Sequence, residues 1–161
     1  MRGEWKIIAV TLVVTLAVRA LAALLPEGVV LPLFCMPPAR FAAFYYGVGL
    51  DAEAIAFTAH GLTVAVTRAC AATDFFSLVC GLFAARFMVA RRARGLAFAA
   101  LAPCAYLVAI AANSLRLVAL VPVDAAFGAD AVPLIHLVAG ASVFLTVFII
   151  LFHALKFPRL P

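Results

Sequence analysis

Charge is what this sequence has least of. Only 12% of its 161 residues are Asp, Glu, Lys or Arg, while 68% are hydrophobic. Soluble domains carry about 25% charge, so a water-soluble globular fold is excluded and an integral membrane protein is left. Paired cysteines are missing too. Cys35, Cys70, Cys80 and Cys104 contain no C-x-x-C pair, and His60, His136 and His153 do not fall at ligand spacings around them. That argues against structural zinc. There is no Gly-rich nucleotide loop, H-E-x-x-H or G-x-S-x-G, so no metal or cofactor is expected. The formal net charge of +5 comes without a basic helix, zinc finger or RNA-binding pattern. Nucleic acid is therefore not an expected partner, and the charge serves to orient helices.

What is present is apolar length. Four runs approach the length of a spanning helix: Ile7–Leu25, Ala71–Val89, Leu96–Val121 and Ile135–Leu155. The first follows the short basic start MRGEWK, as a signal peptide would. It is longer than a usual signal core, carries Arg19, and ends at Leu-Pro-Glu-Gly without an A-x-A site. It is read as a retained span. The expectation is one all-α integral membrane domain over residues 1–161 with about four transmembrane helices.

Residues 33–50, LFCMPPARFAAFYYGVGL, start with too many breakers for a confident span. From Phe41 the aromatic run suits an interfacial or re-entrant helix, with a short span left open. After Asp51 the period changes to two. AIAFTA and LTVAVTRA read as strands joined around His60-Gly61, a hairpin over residues 54–69. A two-residue turn sets Phe57 opposite Val64, Ile55 opposite Val66 and Glu53 opposite Arg68. Open strand edges cannot sit in hydrocarbon, so the hairpin belongs outside the lipid core.

Arg91, Arg92 and Arg94 crowd one short loop, Arg2 and Lys6 precede the first run, and Lys156 and Arg159 follow the last. Positive-inside places all three clusters in the cytoplasm, and four spans satisfy this. A fifth full span at 33–50 would break the parity. The same topology gathers Cys70, Arg116 and His136 at the outer face. Cys70, at the start of the second span, suits a nucleophile favoured by cationic neighbours and a helix N-terminus. His136 suits a general acid and base, and Arg116 an oxyanion partner that never loses its charge. Asp74, one turn from Cys70 on the same helix face, and Asn113, three residues before Arg116, are candidate supporting groups.

In order and spacing, CAATD from Cys70, NSLR from Asn113 to Arg116 and HLVAG from His136 to Gly140 resemble motifs of the exosortase/archaeosortase family. The similarity runs toward its short exosortase K type, and the approach VAVTRAC resembles the family lead-in. Two departures stand out. Ala71-Ala72 replaces the usual Ser/Thr-Gly, and Asp74 replaces the common Asn or Arg. Thr73 supplies a hydroxyl two positions late. The resemblance implies a cysteine-dependent membrane transpeptidase or protease in the inner (cytoplasmic) membrane, with its active site on the periplasmic face. Its partner would be an exported protein with a C-terminal sorting signal, and the acceptor a glycan or lipid. Two alternatives stand beside it: a non-catalytic membrane assembly protein, and a quinone-linked thiol redox protein using Cys35 and Cys70.

Overall fold

The computed structural model describes residues 2–89, 95–127 and 132–155, without the side chains of 2–4, 89, 95–99, 132–136 and 139. The arginine cluster at 91–94, Lys156, Arg159 and the imidazole of His136 lie outside this description. Helices dominate: α1 (Arg2–Leu24), α2 (Glu27–Val30), α3 (Met36–Tyr46), α4 (Thr73–Val89), α5 (Gly95–Phe127) and α6 (Val132–Ala154). A small antiparallel sheet of β1 (Leu50–Asp51), β2 (Ala56–Ala59) and β3 (Leu62–Ala65) lies between α3 and α4 in the chain.

The protein is a multi-pass membrane protein by the length and apolarity of its helices. Among the described residues, Trp5–Leu24, Glu27–Tyr46, Arg68–Met88 and Ala100–Phe127 are each long and apolar enough to cross a bilayer. The 23 residues of α6 include the apolar stretch Gly140–Ala154. The expected spans at 7–25, 71–89, 96–121 and 135–155 overlie α1, α4, α5 and α6.

Residues 27–46 differ from expectation. They form one helical run and do not break at the prolines, because a π-helical turn over Leu31–Cys35 joins α2 to α3. Pro32 lies in the first turn of that segment, and Pro37 and Pro38 lie in the first turn of α3, where a missing N–H costs little. Gly47, at φ 66°, stops the run. Its N–H bonds to Phe44 O, and Val48 N–H bonds to Ala43 O at 2.9 Å, closing the last turn as left-handed glycine caps do.

The chain divides into two compact units. Unit 1 comprises residues 1–25, 73–109 and 148–161, and unit 2 comprises 26–72 and 110–147. In unit 1, α1 packs along α4. The contact is close because residue 81 is glycine. A Cβ there would meet Thr15 Oγ1, and Thr11 O at 2.6 Å. In unit 2, one face of the sheet meets helix. Cys35, Ala39, Ala42 and Ala43 pack with Ile55, Phe57, Val66, Leu117 and Val121, all buried. Part of the 27–46 run thus spends its apolar face on protein.

The hairpin register is Phe57–Val64, Thr58–Thr63 and Ala59–Leu62. His60 (φ 51°) and Gly61 (φ 77°) make the turn, both left-handed as a type I′ connection requires. On the outward face the Thr58 and Thr63 hydroxyls meet at 3.0 Å. The ladder does not reach Glu53 and Arg68. It ends where Val66 N–H donates to Ile55 O, and Ile55 turns left-handed at φ 47°. The Asp51 carboxylate accepts from the N–H groups of Glu53 and Ala54, curling that segment into a turn. Arg68 lies in a 3₁₀ turn over Arg68–Cys70.

Candidate functional site

The thiol of Cys70 is presented by a short turn between strand and helix. Thr67 is extended (φ −102°, ψ 176°), and the 3₁₀ turn then closes with Cys70 N–H donating to Thr67 O at 2.8 Å and Ala71 N–H to Arg68 O at 3.0 Å. Ala71 is extended again (ψ 135°), and α4 starts only at Thr73. This changes two expectations. Cys70 precedes the first turn of α4, whereas the helix-end field falls off within that turn. Asp74 does not stand one helical turn from Cys70, because the intervening backbone is not helical.

Two partners hold this turn within unit 2. Asn113, fully buried on α5, donates from Nδ2 to Cys70 O at 2.8 Å. Cys35, also fully buried, donates its thiol to Thr67 O at 3.4 Å. The Thr67 hydroxyl lies 4.0 Å from Cys70 Sγ. A buried carbonyl deprived of its donor costs roughly 1–3 kcal/mol, so Asn113 is a strong fixture of the Cys70 backbone. All four cysteines are free thiols, with Cys70 partly accessible.

Arg116 follows Asn113 by three residues on α5, and such positions are neighbours on a helix surface. Its guanidinium stacks over the Phe144 ring of α6, 5.5 Å from the centroid. Gly140 lets it lie flat against α6, since a Cβ there would stand 2.6 Å from Arg116 Nε. Nε is buried without a hydrogen-bond partner among the described residues, and so is Asn113 Oδ1. Position 136 lies four residues before Gly140, so the two share one face of α6. Unit 2 therefore brings together the Cys70 turn, Asn113, Arg116 and Gly140.

Asp74 has a different partner. Its carboxylate pairs with Arg19 of α1 at 3.0 Å within unit 1. Thr73 opens α4, and its carbonyl accepts the Ser77 hydroxyl at 2.8 Å. Thr67 and Tyr46 are parts of the setting that were not singled out from sequence, and Cys35 was singled out only as a redox partner of Cys70. Tyr46 ties α3 to α5 through its hydroxyl, which donates to Val118 O at 2.6 Å. Thr67 had a signal, being the first residue after the alternating hairpin and three before the thiol. The hydrogen bonds of Cys35 and Tyr46 had none, because their partners are distant backbone carbonyls. Among the described residues, no group of three or more His, Cys, Asp or Glu is arranged to hold a metal ion. Comparison of the chain with protein-family models, with curated proteins and with solved structures finds no match.

Proposed function

We propose that this chain is a cysteine-dependent membrane transpeptidase or protease that processes the C-terminal sorting tails of exported proteins, as its exosortase-like motifs imply. One observation carries the reading. Asn113 grips the Cys70 carbonyl from α5, and one turn further Arg116 keeps a buried Nε without a partner among the described residues. A buried donor without an acceptor is costly in a resting protein. It becomes useful where negative charge develops during a reaction.

In this mechanism the Cys70 thiolate attacks the substrate carbonyl carbon. The carbonyl oxygen takes up the negative charge, and Arg116 stabilises it. Cys70 N–H is committed to Thr67 O, which leaves that duty to the guanidinium. His136 then protonates the leaving amine as the C–N bond breaks, giving a thioester on Cys70. A second nucleophile, either water or a hydroxyl or amine of a glycan or lipid acceptor, loses its proton to His136 and attacks the thioester. Cys70 leaves as thiolate, and the cycle closes. The tail is membrane-anchored in the family this chain resembles, so it would reach the site by diffusion in the plane of the inner membrane.

Purified protein and a purified tailed substrate test the reading directly. Cys70→Ser and Cys70→Ala abolish processing while the protein stays folded in the membrane, and His136→Ala costs on the order of 10²–10⁴-fold. Arg116→Lys also fails, because an ammonium lacks the planar fork. Full processing by Cys70→Ala, with no other protease present, rejects the chemistry and leaves an assembly role. The outer-face assignment has its own check. Thr63→Cys, at an exposed site on the sheet, should react with an impermeant reagent from the periplasmic side and Ala93→Cys from the cytoplasmic side.

A further inference from the structure

Unit 1 contains a cavity of about 250 Å³ that the proposed chemistry does not use. Phe83 and Phe87 of α4, Ala100, Leu101 and Cys104 of α5, and Leu155 line it. The lining surface is wholly apolar, and Arg86 borders it with the apolar part of its side chain. Its Nε donates to Leu155 O at 2.6 Å, which fixes the guanidinium while leaving four of its five N–H donors for other acceptors. No Asp or Glu lines the cavity, and no ion pair to Arg86 occurs among the described residues. A half-buried guanidinium beside an apolar wall calls for a counter-charge. The volume is below the roughly 300–1,000 Å³ of small-molecule pockets, and its lining suits hydrocarbon. The chain segments that follow Phe87 and Leu155 in sequence are basic, with Arg91, Arg92 and Arg94 after the first and Lys156 and Arg159 after the second. Such segments attract anionic lipid.

We infer that this cavity is a binding site for an anionic phospholipid, with one acyl chain held among Phe83, Phe87 and Leu101 and the phosphate paired with Arg86. The site is separate from the Cys70 turn, which belongs to unit 2. It stands whether or not the processing chemistry does.

The test offers the purified full-length protein in detergent an equimolar mixture of phosphatidylglycerol and phosphatidylcholine with matched chains. Retained lipid is then counted by native mass spectrometry. Phosphatidylglycerol should be retained preferentially, and the preference should persist at a salt concentration that screens diffuse attraction to the basic segments. Arg86→Gln should reduce the preference about tenfold, the worth of one charge-assisted contact. Ala100→Trp, at an exposed lining position, should fill the cavity and lower retention of both lipids while the helical spectrum is unchanged. Soluble glycerol phosphate should not displace the bound lipid. Equal retention of the two lipids, an unchanged preference in Arg86→Gln, or full retention by a folded Ala100→Trp protein would each overturn the site. Displacement by glycerol phosphate would reject the acyl-chain component and with it the lipid as occupant.

Discussion

Units 1 and 2 are both built mainly from apolar helix, yet they treat polar atoms differently. In unit 1 Thr11 and Ser77 donate one turn back to Ile7 O and Thr73 O, and the long-range contacts are an accessible ion pair, Arg19 with Asp74, 55 residues on, and Arg86 to Leu155 O. Its helices meet where Gly81 permits backbone contact, the usual way helices associate in lipid. In unit 2 the long-range contacts include a fully buried amide. Asn113 serves a carbonyl 43 residues earlier, and Tyr46 serves one 72 residues later. Among the described residues unit 2 leaves Arg116 Nε and Asn113 Oδ1 buried without a hydrogen-bond partner, and unit 1 leaves Thr15 Oγ1 so. The lesson is that a unit with a sheet and an unwound turn has backbone carbonyls to hold. The side chains that hold them are long-range and sensitive to position.

The largest expected effect that sharpens this contrast is at Gly140. In Gly140→Ala the new methyl displaces the Arg116 guanidinium, a flexible group that can move without unfolding the protein. Processing should fall about 10²–10³-fold, as when an oxyanion donor is lost, with thermal melting nearly unchanged. Arg116→Gln added to it should bring little further loss, since the two changes remove one interaction. A fully active Gly140→Ala protein would show that the packing of Arg116 is incidental.

Gly81 should behave in the opposite way. Gly81→Val drives a side chain into the Thr11 backbone, and overpacking of this kind costs about 1–3 kcal/mol or more. The loss should appear as less folded protein in a melting assay, with processing per folded molecule retained. A lower rate per folded molecule would mean that unit 1 also shapes the site. Asn113→Ala falls between the two. It removes the donor to Cys70 O at a cost of about 1–3 kcal/mol, and melting and processing should decline together.

The smallest effect is expected at Arg19 and Asp74, whose side chains are 61% and 73% accessible. A double-mutant cycle with Arg19→Gln and Asp74→Asn should give a coupling of about 0.2–1 kcal/mol if water surrounds the pair. Asp74→Asn should leave processing intact. A much larger coupling would place the pair against hydrocarbon, where an isolated charge is expensive.

Much of the fold was legible before any coordinates. The four long runs follow from apolar length alone, and the His60-Gly61 turn follows from alternation on either side of it. The Phe57–Val64 register appears as expected. The prolines at 32, 37 and 38 misled, because a π turn accommodates them within one helical run. The two-residue strand β1 left no periodic signal. Glu53 and Arg68 looked like a cross-strand pair, but the Asp51 side chain captured the local N–H groups and ended the ladder early. Asp74 illustrates the same limit at the candidate site. Spacing of four residues implies a shared face only where the backbone is helical, and between Cys70 and Thr73 it is not.

By itself the sequence determined that this protein lives in a membrane, since 68% hydrophobic residues in runs of spanning length have no stable place in water. It also determined which residues have chemistry to offer: a thiol at 70, an amide at 113, a guanidinium at 116 and an imidazole at 136. Only the tertiary structure decided what several of them touch. Asn113 meets the carbonyl of Cys70, Arg116 lies flat on Gly140, and Asp74 turns to Arg19. The physical reason is that membrane character is additive along the chain, residue by residue. A hydrogen bond or ion pair depends instead on the spacing and tilt of elements far apart in sequence, which no local pattern encodes.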